Sequence, residues 1–166
     1  MEAAVESVPD AMDVMAMTDE RIIEIDGGAP RLADLLADVF ALRCEVFVVE
    51  QGVPRELELD ELDRAATHLA AIRDDEVVGT LRILQYEGAA KVGRVAVRAA
   101  WRKHGIGRRL MDAAAAIARE RGFAEIVLHA QVTVAAFYSR LGYVAEGDVF
   151  DDAGIPHIAM RKRISP

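Results

Sequence analysis

One stretch constrains this chain more than any other: KVGRVAVRAAWRKHGIGRRLMDAAAAIARERG, residues 91–122. An alternating, β-branched run gives way to a glycine-containing loop. Beyond it Ile106, Leu110, Ala113, Ala114, Ile117 and Ala118 recur at helical spacing until Gly122 supplies a stop. The pattern predicts a strand, a loop and an amphipathic helix. The first N–H groups of such a helix lack intrahelical acceptors, and the summed peptide dipoles place about half a positive charge there. An anion is the natural guest. Glycine at 105 and 107 keeps Cβ atoms out of the way and admits positive φ, while Arg102, Lys103, Arg108 and Arg109 bring cations. The expectation is a phosphate or pyrophosphate site over residues 102–109.

Two other phosphate loops fail on the residues themselves. A P-loop needs G-x-x-x-x-G-K-[ST], which is absent, and a dinucleotide fingerprint needs a third glycine where Leu110 stands. A helix can also follow glycines merely to turn a corner. Charge argues against that bland reading. The chain carries a formal net charge of −8, yet residues 88–111 contain no Asp or Glu and hold Lys91, Arg94, Arg98, Arg102, Lys103, Arg108 and Arg109. The acidic whole repels nucleic acid and anionic lipid at long range, so no nucleic acid and no membrane is expected as a main partner.

The 166 residues suit one domain with a single substantial core. The lone Cys44 forms no internal disulfide and reads as a packed thiol. Residues 1–19 lack the basic start of a signal peptide and a sustained period; they read as an N-terminal tail, with Met15 and Met17 as alternative starts. With no apolar run near the ~20 residues that span a bilayer, a cytoplasmic protein is expected.

RIIEI reads as a first strand, DGGAP as a turn, and residues 31–51 as a helix with Leu32, Leu35, Leu36, Val39, Phe40 and Phe47 on one face. RELELDELDRA is strongly acidic and suggests a short helix. HLAAIRDDEVVGTLRILQY predicts two strands around a turn at Asp74-Asp75, and KVGRVAV a strand at the sheet centre. EIVLHA reads as a buried strand, VAAFYSRLG as a short helix ending at Gly142, and YVAEG with HIAMRKRI as closing strands. This order predicts an α/β layer fold with a mixed sheet.

VGRVAVRAAWRKHGIGRRLMDAA resembles the strand, loop and helix of the GNAT superfamily of N-acetyltransferases, whose loop reads Q/R-x-x-G-x-G/A; Arg102, Gly105 and Gly107 fill its fixed places. LHAQVTVAAFYSRLGYVAEG is similar to that family's closing segment, with Tyr138 on a helix before the Gly142-Tyr143 turn. FVVEQGVPRELELDELDRAATHL and GIPHIAM resemble its ElaA-like (YjcF-like) branch, so the likeness covers about residues 20–164. The resemblance implies an α/β (α+β) GNAT acyltransferase fold, a central, mostly antiparallel twisted sheet flanked by helices, as a single domain over residues 20–166. It also implies acetyl-CoA as cosubstrate and an amine acceptor as partner. The pyrophosphate would lie on the amides of Arg102, Lys103, His104, Gly105, Ile106, Gly107 and Arg108, with Arg109 beside them. The pantetheine arm would lie along Val95, Ala96 and Val97, with Gln131 and Tyr138 near it.

Acetyl transfer needs a neutral amine, and an alkylamine of pKa near 10.4 costs about 4.6 kcal/mol to neutralise at pH 7. It also needs a proton for the departing thiolate, which Tyr138 is placed to donate if the resemblance holds. Many relatives carry a glutamate on the central strand; here Arg94 stands near that place and cannot accept a proton. The sequence therefore assigns no base, and Glu50, His68 and His157, which match branch positions, are the acceptor-side candidates. Four scattered histidines without metal-ligand spacing predict no metal site. Glu56, Glu58, Asp60, Glu61 and Asp63 read as a solvated helix face, or alternatively as a cation-attracting rim. Two rivals stay open: a CoA-binding module whose chemistry has decayed, and a nucleotide-binding protein using the same loop. An uncovered edge strand would favour a homodimer.

Overall fold

The computed structural model describes residues 20–165, so the tail read over residues 1–19 lies outside the described residues. The chain runs β1 (Glu20–Asp26), α1 (Ala33–Arg43), a π-helix (Cys44–Glu50), the single turn α2 (Arg55–Glu58), β2 (Thr67–Arg73), β3 (Glu76–Tyr86) and β4 (Ala89–Val97). Then follow α3 (Ile106–Glu120), β5 (Glu125–Gln131), α4 (Ala135–Arg140), β6 (Val144–Asp152) and β7 (Ile155–Arg163). The strands form one sheet in the order β1-β2-β3-β4-β5-β7-β6, and only the β4–β5 pair is parallel. The mixed, mostly antiparallel sheet expected from the sequence is present, with β4 fourth of seven.

Each sheet face buries its own core. Leu69, Val78, Leu81, Val92 and Leu128 meet Ile106, Leu110, Ala114 and Ala118 of α3, with Tyr138 and Tyr143 closing that core. On the opposite face Ile25, Ala70, Ile72 and Val77 pack on Val39, Leu42 and Val46 of α1 and the π-helix. Gly79 fixes how closely α3 sits on the sheet. A Cβ there would stand 2.8 Å from Ile106 Cγ2 and 3.1 Å from Leu110 Cδ1, too close for a side chain without displacing the helix.

Residues 31–51 do not form a plain α-helix. The chain enters through a 3-10 turn (Pro30–Leu32) and widens into the π-helix after Arg43. The acidic segment likewise splits, into α2 and a 3-10 turn (Glu61–Arg64) that Asp60 and Asp63 close as a capping box.

The solvated acidic face is corrected by the fold. Glu58 is 2% exposed and Asp63 7% exposed, each against arginines from distant parts of the chain. Arg43, itself 1% exposed, reaches Glu58 Oε1 through Nε at 2.5 Å and Asp63 Oδ1 through Nη1 at 2.7 Å. Arg82 Nη1 bonds Asp60 Oδ1 at 2.7 Å and Asp63 Oδ1 at 2.9 Å, and Arg94 Nε bonds Glu58 Oε2 at 2.9 Å. Three arginines thus neutralise three acids, leaving Glu56 and Glu61 on the surface. Burial pushes Asp60 and Asp63 up, but their arginine partners outweigh it and hold both below the usual carboxylate range. At Glu58 desolvation wins over Arg43 and Arg94, and the carboxyl is raised.

Candidate active site

The parallel β4–β5 pairing is short. Ala90, Lys91 and Val92 pair with Ile126, Val127 and Leu128, and beyond them the ladder between the two strands ends. A bulge accompanies the parting. Gly93 faces Arg82 and Ala96 faces Thr80, so Leu81 stands opposite two residues, and Arg94 takes φ +53°. The bulge turns Arg94 toward the α2 segment, where its guanidinium also holds the carbonyls of Leu57 at 3.1 Å and Glu58 at 3.2 Å.

A cleft of about 520 Å³ opens between the diverging strands. Val95, Ala96, Val97 and Arg102 line one side, and His129, Gln131, Tyr138 and His157 the other. Past Val92 the β4 backbone has no strand beside it on this edge, so an extended chain could add hydrogen bonds there as a further strand would.

At one end of the cleft lies the predicted anion site. Gly105 is the N-cap of α3 at φ +78°, with no side-chain cap, and the first helical bond runs from the Arg109 N–H to the Gly105 carbonyl at 3.1 Å. Among the described residues nothing accepts from the amides of Ile106, Gly107 and Arg108. The two glycines serve different ends. Gly105 supplies the left-handed turn, whereas Gly107 makes room for a ring: its absent Cβ would lie 3.3 Å from Phe137 Cζ. Lys103 shares the turn at φ +65°, and the His104 Nδ1–H donates to the Arg102 carbonyl at 2.8 Å.

The cations of this loop are less available than their count suggests. Arg102 Nη2 meets Glu50 at 2.8 Å, Arg109 is held by Glu20 through Nη2 at 2.9 Å, and Arg98 is paired with Glu76. Arg108 lies 3.9 Å from Asp112. These are exposed pairs worth about 0–1 kcal/mol each, so an incoming phosphate can exchange for the carboxylates at little cost.

Of the acceptor-side candidates, only His157 reaches the cleft wall. Glu50 is engaged with Arg102 and belongs to the loop end of the site. His68 is corrected. It is 0% exposed, its ring edge-on to Phe40 at 5.6 Å and under the Asp63 carbonyl, which its Nε2 contacts at 2.8 Å. Gln131 bridges the cleft mouth, its amide donating to Gln51 Oε1 at 2.8 Å.

The structure adds residues that sequence reasoning passed over. His129 shares a sheet face with Gln131 and its β7 partner His157, and Phe150 ties the imidazoles together, edge-on to His129 at 5.0 Å and stacked on His157 at 6.0 Å. Desolvation, then the nearby Lys91 charge, lowers the His129 pKa, so the ring is neutral at pH 7. Tyr138 faces the opposite chemistry. Burial alone pushes its hydroxyl up to about 12, and it makes no hydrogen bond among the described residues. No group of three or more His, Cys, Asp or Glu among the described residues is placed to hold a metal. No described helix is long and apolar enough to cross a membrane.

An uncapped helix start leads into a cleft that Val95, Ala96 and Val97 line, and the splay of β4 from β5 that opens it was not part of what the resemblance implied. The family model described as "Acetyltransferase (GNAT) domain" matches residues 17–164. The chain belongs to this GNAT acetyltransferase family. An N-acetyltransferase of uncharacterised role, YjcF of Bacillus subtilis, is 38% identical over 128 residues, which cover 76% of this chain and 91% of that protein. Protein ElaA of Escherichia coli is 32% identical over 128 residues, covering 74% and 84%, and its crystal structure superposes with a TM-score of 0.77. An acyl-CoA N-acyltransferase from Pseudomonas aeruginosa gives a TM-score of 0.77 at 36% identity, covering 86% of this chain and 99% of that one. The ElaA-like and YjcF-like branch is therefore the right neighbourhood.

Proposed function

We propose that this protein is an N-acetyltransferase that moves acetyl from acetyl-CoA to a primary amine by direct transfer in a ternary complex. The observation that carries the reading is the continuous path from the uncapped amides of residues 106–108, along the unpaired β4 edge, to Tyr138. A diphosphate fits the first feature, and an extended arm bearing amides fits the second. When bound, the cosubstrate supplies an activated acyl carbon and a thiolate leaving group. The Tyr138 hydroxyl, protonated at any working pH, donates toward the departing sulfur.

His129 is the proton acceptor for the amine. Its imidazole is neutral, lines the cleft, and is held against Phe150. The titratable groups facing it are Lys91, Asp152 and His157, and desolvation with Lys91 dominates the balance. Activity should fall as the imidazole protonates, which sets the acidic limb below the ordinary histidine value. His129→Gln is expected to lower kcat/KM by tenfold or more and to remove that limb; a pH–rate profile unchanged by the substitution would contradict the assignment.

The reading itself is tested by calorimetry with acetyl-CoA, followed by an acceptor screen measuring CoA release. Binding without turnover on any amine would favour the decayed module. Equal thermal protection by ATP, NAD and CoA would favour the nucleotide reading.

A further inference from the structure

Lys91 belongs to the basic stretch of residues 88–111 that surrounds the glycine loop, but its place in the fold separates it from the loop's cations. It stands six residues before Val97, roughly 20 Å along β4 from the strand end that leads to the loop. Its side chain lines the opposite end of the cleft and also a second, adjoining hollow of about 120 Å³ that shares His129.

The charge environment there is unusual. Among the described residues no carboxylate lies within 4 Å of the Lys91 ammonium, which rests over the Tyr86 ring at 4.8 Å. Arg82 and Arg94 face it from β3 and β4, with Asp152 the opposing charge from the end of β6. Glu146, in the adjoining hollow, is taken by Arg161 at 2.9 Å. The acids nearest the cleft floor, Glu58 and Asp60, are each held by arginines. A cationic anchor on a substrate would thus find Glu58 and Asp60 occupied and, among the described residues, only Asp152 remaining, which already faces Lys91, whereas an anion would find a lysine that burial has left short of solvation.

Space is provided beside it. Gly93, two residues on and on the same sheet face, would carry a Cβ with no atom within 4 Å. His129 lies two residues beyond Val127, the parallel partner of Lys91, and so on the same sheet face. Ammonium-bearing and imidazole-bearing positions are therefore diagonal neighbours, on the order of 7–8 Å apart, within reach of a long side chain.

We propose that the cleft takes an acceptor bearing a carboxylate as well as its amine, of amino-acid dimensions, with the carboxylate seated on Lys91 over Gly93 and the amine presented to His129. This rests on the acetyltransferase reading. It separates an amino-acid acceptor from a simple polyamine, whose second ammonium would meet the Lys91 ammonium in place of a carboxylate. A free amino acid and a peptide C-terminus share the chemistry, and the kinetic arm separates them.

The binding arm needs no turnover. Thermal unfolding is followed with CoA present to fill the anion loop, adding about 50 mM N-acetylglycine or its neutral amide. The carboxylate is expected to raise Tm by about 2–4 °C in the wild type and in Lys91→Arg, with no rise in Lys91→Met and none from the amide. No protection, equal protection by the amide, or protection surviving in Lys91→Met would overturn the proposal. In the kinetic arm amino acids, their amides and short peptides are compared as acceptors. KM should be at least tenfold lower for the free carboxylate than for the amide, and Lys91→Met should erase the difference. A preference for dipeptides over amino acids would assign the carboxylate to a peptide end. Failure of the acetyltransferase reading shows separately, as no stabilisation by CoA itself or as CoA binding without turnover on any amine, and the N-acetylglycine comparison is scored either way.

Discussion

Arg43→Met should cost this protein about 3–5 kcal/mol of folding stability, the largest loss expected from any single change to its charged groups. The guanidinium is 1% exposed and donates to Glu58 Oε1, the Glu58 carbonyl and Asp63 Oδ1, between 2.5 and 2.8 Å. Methionine fills similar volume but leaves two buried carboxyls with fewer partners, and it is the uncompensated charge rather than the lost attraction that costs. Urea unfolding measures it, and a loss below about 1 kcal/mol would show that the network carries little. Acid supplies a second readout. Asp60 and Asp63 are held below their unfolded pKa values near 3.9, so their contribution is present above pH 4 and fades as pH falls through the folded values. Glu58, raised by burial, works in the opposite sense as pH rises above its unfolded value. Arg43→Met should therefore flatten the acid limb of the stability curve of the wild type. The consequence extends to function, because the network ties the α1–π-helix junction and the α2 segment to β3 and β4, and so shapes one wall of the cleft.

That network also marks where sequence reasoning stopped. The turn at Asp74-Asp75, with both residues at positive φ, the strand–loop–helix around Gly105 and the stop at Gly122 are local events, each announced by the residues that make them. The pairing of an acidic run with Arg43, Arg82 and Arg94 is not local. The partners lie 15 to 36 positions away, and a window over RELELDELDRA contains charge without any sign of burial. The π-helix was equally hidden, since seven residues of CEVFVVE carry no signature distinguishing it from an α-helix.

His129 was legible and was passed over. In EIVLHAQ the residues Ile126, Leu128 and Ala130 are buried, and the alternation puts Val127, His129 and Gln131 on the other face. Reading EIVLHA as uniformly buried hid a titratable group that strict period-two counting would have turned outward. His68 failed in the reverse direction. Its strand is buried over six of seven positions, so alternation could not say that its ring points into a dry corner instead of a cleft.

Tyr138→Phe is expected to lower kcat by tenfold or more, toward 10³-fold, while acetyl-CoA affinity changes less than about twofold. The ring keeps its edge contacts to Phe137 at 5.0 Å and Tyr143 at 6.1 Å, and the deleted hydroxyl has no hydrogen bond to lose among the described residues, so the fold should tolerate the change. The hydroxyl sits at about 12 and a solvated thiol near 8.5, so complete transfer to a water-like thiolate would run uphill by about 3–4 pKa units. The burial that raises the phenol raises a sulfur anion beside it as well, narrowing the gap and strengthening a hydrogen bond to charge that develops only as the bond to carbon breaks. Such a donor acts on the transition state and little on binding, which is why kcat and affinity should separate. Tyr143→Phe is the matched control: that hydroxyl is also buried and its pKa also raised, but it does not line the cleft. Full kcat in Tyr138→Phe, or an equal fall in both variants, would remove the tyrosine from the chemistry and leave it as a packed ring.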